Sequence, residues 1–156
     1  MLAFRLQAVG LAMPPRRAGA TTETVSANLA RLRAGYRMSL RDLADALGAV
    51  GLTISAQSLS AIEKGSTAIT VDQLTALSAV LNVSPVALLM PWTDDAYEPD
   101  VALEGTGRVY PLDVWEWLTA HRPLDQPVPS EKQNVSAVLS FRNRNRPTWI
   151  RRAEEL

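Results

Sequence analysis

The chain has 156 residues, enough for one ordinary domain plus added segments, and its 47% hydrophobic and 21% charged content is a globular mixture rather than a disordered one. It contains no cysteine, which excludes disulfides and thiolate metal sites and fits a cytoplasmic setting. The net charge of zero divides along the chain into +3 for residues 1–90, −7 for 91–131 and +4 for 132–156, so two basic ends flank an acidic middle.

The opening MLAFRLQAVGLAM has one basic residue and no long apolar core, and reads as a short amphipathic or frayed extension rather than a secretory signal. Residues 14–22 (PPRRAGATT) read as a basic arm carrying Arg16 and Arg17. A first helix is expected from Thr24 to Gly35, where Val25, Leu29 and Leu32 recur on one face. Ser39 stands as an N-cap before LRDLADALGAV, whose Leu40, Leu43, Ala44 and Leu47 share a face, and Gly51 is the natural left-handed stop. A third helix is expected from Ser55 to Lys64 with Leu59 and Ile62 inward. A fourth starts after Thr70 with Leu74, Leu77, Val80 and Leu81 apolar and Asp72 in its first turn. Ser84-Pro85 opens a fifth that runs to Met90, and Pro91 closes it.

Beyond it, Trp92 to Gly107 reads as an acidic, irregular linker, and Arg108 to Tyr110 as a short extended piece. Leu112 to Ala120 reads as a helix bearing Trp115, Trp117 and Leu118, which with Tyr110 form an aromatic cluster suited to a core or a subunit interface. Residues 123–129 are a proline-rich spacer. Ser130 with Gln133 matches a capping box, and the helix after it is expected to bury Val135, Val138 and Leu139 and to end at Pro147. The expected division is therefore 1–23 as extension and arm, 24–91 as a helical domain, 92–129 as linker with a short tryptophan-bearing helix, and 130–156 as a basic helix.

Three segments in order, SLRDLADALG, ISAQSLSAIEKG and TVDQLTALSAVLNVSPVALLMP, resemble the DNA-binding domain of the lambda repressor-like, XRE-type helix-turn-helix regulators. The resemblance covers about 70 residues, and the texture of the chain is similar to regulators of actinobacteria and their phages. It implies an all-α fold: a five-helix DNA-binding domain plus a smaller C-terminal helical segment. It also implies that the helix 55–64 enters the major groove, with Ser55, Ala56, Gln57, Ser58 and Ala61 at base-contacting positions. Glutamine can bond an adenine edge bidentately, which makes Gln57 the leading reader. Each has a structural alternative: Ser55 and Ser58 as caps, Gln57 as a solvated residue. Arg33 and Glu63 match a pair that bridges the first and third helices in this family and orients the recognition helix.

Backbone contacts are expected from Arg37, Arg41 and Lys64, from Arg16 and Arg17, and from Arg142, Arg144 and Arg146 in the arginine-rich end FRNRNRPTWIRR. Lys64 also favours a helix C-terminus without DNA. Two departures from the family pattern stand out. Leu40 replaces the glutamine that often contacts phosphate, with Arg41 beside it as a substitute. Ala49 to Thr53 lengthen the turn between the motif helices, which is expected to add a helical turn to the second helix.

The resulting expectation is a sequence-specific transcriptional regulator, a repressor, that binds double-stranded DNA. A homodimer or a second DNA contact within the chain would raise its affinity. The rival expectation is an antitoxin or adaptor that binds a protein partner through its helix-turn-helix and residues 92–129. No enzyme is expected, since Asp113 and Glu116 do not form an acid/base pair and no nucleophile–base arrangement or phosphate-binding glycine loop is present. No cofactor, small-molecule ligand or membrane span is expected. The lone His121 reads as a surface or capping residue, not a metal ligand.

Overall fold

The computed structural model of the protein describes residues 18–124 and 134–154. The N-terminal extension, Arg16, Arg17 and the Ser130–Gln133 capping box therefore lie outside the described residues. Among these residues the structure is all-helical: α1 (Ala20–Gly35), α2 (Leu40–Ala49), α3 (Ala56–Glu63), α4 (Val71–Val80), α5 (Pro85–Leu89), α6 (Pro111–Leu118), α7 (Asn134–Asn145) and α8 (Thr148–Glu154).

The first five helices surround one core. Leu29 from α1, Leu43 and Leu47 from α2, Leu59 and Ile62 from α3, Leu77 from α4, Leu81 just after it, and Leu88 from α5 are all buried. Burying each such side chain stabilises the fold by roughly 1.5–3 kcal/mol. Short polar residues start the helices of this core. Ser39 and Thr70 form capping boxes with Asp42 and Gln73, and the Ser55 hydroxyl accepts from the Ser58 N–H at 3.0 Å. Inside the bundle the Asn28 amide reaches across from α1 and donates to the carbonyls of Leu88 at 3.0 Å and Met90 at 2.7 Å.

The structure departs from the sequence expectation at four places. α1 begins at Ala20, four residues before Thr24, because Glu104 caps it from a distance: its carboxylate accepts from the Ala20 N–H at 3.2 Å, and its own N–H donates to Thr21 Oγ1 at 2.8 Å. Gly19 permits that approach, since a Cβ there would lie 2.5 Å from Glu104 Oε2. At the end of α2, the extra residues lengthen the turn rather than the helix. Helix α2 stops at Ala49, Gly51 takes a left-handed φ of 90°, and Leu52 N–H closes back on the Leu47 carbonyl at 2.9 Å.

The expected linker 92–107 stays irregular and exposed over residues 94–100 but packs at Val101 and Leu103. Val101 pairs with Val109 in an isolated antiparallel bridge, and Val101, Leu103 and Val114 form a second small core flanked by Met90, Trp117 and Leu118. Finally, α7 turns Phe141 inward, at 9% exposure, and leaves Val135 and Leu139 exposed. Pro147 separates α7 from α8, so the C-terminal segment is two helices. The aromatic cluster divides as well: Trp117 packs against the second core, whereas Tyr110 and Trp115 are exposed.

The α2 capping box gives a pH prediction. Hydrogen bonding with the Ser39 side chain, and then with its backbone N–H at 2.7 Å, holds the Asp42 carboxyl below the usual carboxylate range. A depressed carboxylate contributes stability that is present above its unfolded value and lost as pH falls through the folded one. Asp42→Asn is therefore expected to flatten the acid limb of stability against pH, read from thermal melts between neutral and strongly acidic buffer. An acid limb identical to that of the parent chain would remove the box from the account.

Candidate nucleic-acid interface

Helix α3 sits on the core with Leu59 and Ile62 buried beneath it. Gln57, Ala61 and Lys64 follow at i, i+4 and i+7, so they form one stripe on the opposite face. Gln57 and Lys64 are exposed and Ala61 is half-buried. Two more expected contact residues, Ser55 and Ser58, are exposed at the start of the helix, but their hydroxyls are bonded to each other at 2.9 Å. Ala56 is half-buried at the helix's first position. The structure thus gathers the five expected base-contacting residues at one end and one side of α3. Their polarity is modest, and only Gln57 offers a long side chain with a donor and an acceptor.

The orientation of α3 is set from α1. Arg33 Nε donates to Glu63 Oε1 at 2.6 Å and Arg33 Nη2 to Glu63 Oε2 at 2.9 Å. Arg33 Nη1 donates to the Met38 carbonyl at 2.7 Å, in the turn that leads into α2. The two side chains are 20% and 11% exposed. The hydrogen bonding with Glu63 raises the Arg33 pKa, against the opposing effect of burial. One guanidinium therefore ties together α1, the α1–α2 turn and the last residue of α3.

Electrostatically the interface is spare. Residues 18–91 hold five cations and five carboxylates. Arg33 is paired, and Arg31 lies 3.9 Å over the Trp92 ring with its Nη2 on the Asn28 side chain. Arg37, Arg41 and Lys64 remain exposed. Arg37 stands in a left-handed turn, φ 55°, directly before α2, and Arg41 lies in the first turn of that helix. Three cations around the motif helices are enough to position a phosphate backbone but few for strong counterion release.

The C-terminal arginines are placed differently from one another. Arg142 Nε donates to the His121 carbonyl at 2.9 Å and Arg146 Nε to the Ala120 carbonyl at 3.0 Å, both just past the end of α6. Arg144 is exposed and reaches Ser140 on its own helix at 2.9 Å. His121 is exposed beside Thr119, with its Nδ1 at 2.7 Å from the hydroxyl.

Two residues elsewhere in the fold also escaped the sequence reading. Val71 opens α4 with 77% of its side chain in solvent, an exposed β-branched residue directly after a threonine cap. Arg122 binds both Asp113 and Glu116, so the carboxylates of α6 are clamped by one cation. Only an arginine shortly after two carboxylates hinted at that clamp.

Residues 29–88 of the chain match the family model described as helix-turn-helix. No match to a curated protein and no match to a solved structure was found. The matched span runs from Leu29 in α1 to Leu88 in α5, the two ends of the first core. Among the described residues no helix is long and apolar enough to cross a membrane.

Proposed function

The segment 29–88 is a DNA-binding helix-turn-helix domain of the XRE, lambda repressor-like kind, and from that premise we propose that the chain is a sequence-specific repressor of transcription. Helix α3 reads base edges in the major groove, Gln57 supplies the main hydrogen-bonded contact, and Ala56 and Ala61 offer methyl groups to thymine. Arg37, Arg41 and Lys64 hold the phosphate backbone on either side. A repressor acts by occupying its site, and the residues on α3 and around it supply binding groups for that.

The observation that carries this reading is the stripe of Gln57, Ala61 and Lys64 on the face of α3 opposite Leu59 and Ile62, with Gln57 and Lys64 exposed. Its test is selection of binding sites from random DNA, followed by titration of the preferred site with Gln57→Ala. The expected loss is about 2 kcal/mol of discrimination at one base pair, within the range of a bidentate contact. Unchanged base preference in the variant would remove Gln57 as the reader. Repression itself is checked with a reporter carrying the selected site over its promoter, where the intact chain lowers expression and Gln57→Ala restores it.

A further inference from the structure

We propose that two copies of this chain pair reciprocally, the outer face of α7 on one copy seating against the acidic, aromatic surface around Tyr97 and Tyr110 on the other. The first of these surfaces is apolar and basic. Val135 and Leu139 stand one turn apart, 58% and 51% exposed, on the side of α7 opposite buried Phe141. Arg144 is exposed further along the same helix. The helix, NVSAVLSFRNRN, holds no carboxylate, so pairing α7 with a second α7 would offer its arginines no ion pair. Its natural complement is apolar and negative.

The second surface has that character. The rings of Tyr97 and Tyr110 meet edge to face with centroids 5.9 Å apart, yet each stays more than half exposed. Trp115 follows on α6 at 48% exposure. Beside the tyrosines, Asp95, Glu98 and Asp100 line one shallow depression. Asp100 has Arg108 at 3.9 Å, but among the described residues no cation pairs with Asp95 or Glu98. Three of the carboxylates of the acidic middle, Asp95, Glu98 and Asp100, thus stand together here, and the +4 of residues 132–156 lies in the segment that contains α7.

Aromatic side chains at the centre with charge at the rim is the composition of a protein interface. A second copy satisfies it: the chain as a whole is neutral, so two copies meet without long-range repulsion. Each copy offers both surfaces, and a two-fold axis joins both pairs at once and closes the assembly at two. Within one chain, Arg142 and Arg146 hold α7 at the end of α6 while its outer face stays in solvent.

Sedimentation of the full chain over a concentration series, without DNA, tests the pairing independently of the DNA-reading proposal. The parent chain is expected to dimerise, less tightly at high salt. Leu139→Asp and Glu98→Lys are each expected to weaken the dimer by about a hundredfold, because each sets like charges against one another. Mixing these two monomeric variants is expected to give a heterodimer, since one of the two contacts is then intact. Circular dichroism verifies that each variant is folded, and Leu139→Gln replaces Leu139→Asp if the charge unwinds α7. A parent chain that stays monomeric, grows past a dimer, or gathers only on DNA or lipid vesicles would overturn the proposal. So would a Glu98→Lys variant that dimerises as the parent does, which would assign α7 to a different surface.

Discussion

Asn28→Leu is expected to destabilise the domain by about 3 kcal/mol, since buried carbonyls left without a donor cost roughly 1–3 kcal/mol each. Asn28 is 2% exposed, and its amide serves the Leu88 and Met90 carbonyls while its own oxygen accepts from Arg31 Nη2 at 3.3 Å. Leucine keeps the branched shape of the side chain but supplies no donor. Those two carbonyls belong to the end of α5, where the helix has run out of backbone partners of its own. The side chain thus finishes α5 and fastens it to α1 in one step. Asn28→Asp is expected to cost at least as much at neutral pH, because a carboxylate would face two carbonyl oxygens without water. Urea unfolding with an unchanged slope checks both, since only the midpoint then reports stability. A loss under about 1 kcal/mol for Asn28→Leu would mean that water reaches the two carbonyls and replaces the amide.

Asn28 also shows what kind of feature the sequence could not announce. The periodicity of α1 placed Leu29 and Leu32 on a buried face, and nothing in that pattern singled out the polar residue beside them. Its partners lie about sixty positions away, and no local pattern points to them. The same holds for the start of α1. A helix end with a local cap, such as Ser39, Ser55 or Thr70, is legible because the capping oxygen sits three residues from the N–H it accepts. Glu104 caps α1 across 84 residues, so the helix was expected to start late.

Val101 and Leu103 alternate for only a few residues before Gly105 and Gly107, too short a run to distinguish a packed strand from a linker. In α7 the apolar positions fall on two sides of the helix, and contact with the turn after α6 decided which side went in. For the interface, Leu59 and Ile62 fixed the inward direction of α3, and the outward stripe followed from helix geometry alone. That Ser55 and Ser58 bond each other, and that Arg142 and Arg146 bond carbonyls after α6, depends on rotamers and long-range packing that spacing does not encode.

Arg33→Met is expected to cost about 3 kcal/mol, near the lower end for removing one partner of a buried ion pair, because both groups keep some solvent contact. Glu63→Gln should cost less, about 1–2 kcal/mol, since the amide oxygen still accepts one bond and Arg33 keeps the Met38 carbonyl. The difference arises because Arg33 has three donors engaged, two on Glu63 and one on the α1–α2 turn. Removing it releases all three, whereas changing Glu63 weakens only the link to α3. The double variant is expected to be less destabilised than the sum of the two, and the cycle isolates the coupling.

The raised Arg33 pKa adds no pH dependence in ordinary buffers. Its contribution is fully present below the unfolded arginine value and would fade only in strong alkali. The functional consequence is the sharper part of this prediction. Glu63 is the last residue of α3, so Glu63→Gln leaves the stripe of Gln57, Ala61 and Lys64 chemically intact and loosens only its angle to α1. Under conditions where the variant is fully folded, it should bind the selected site more weakly while preferring the same bases. A change of preferred bases would place Glu63 at the DNA instead, and unchanged affinity would reduce the bridge to a stability element that leaves the docking of α3 untouched.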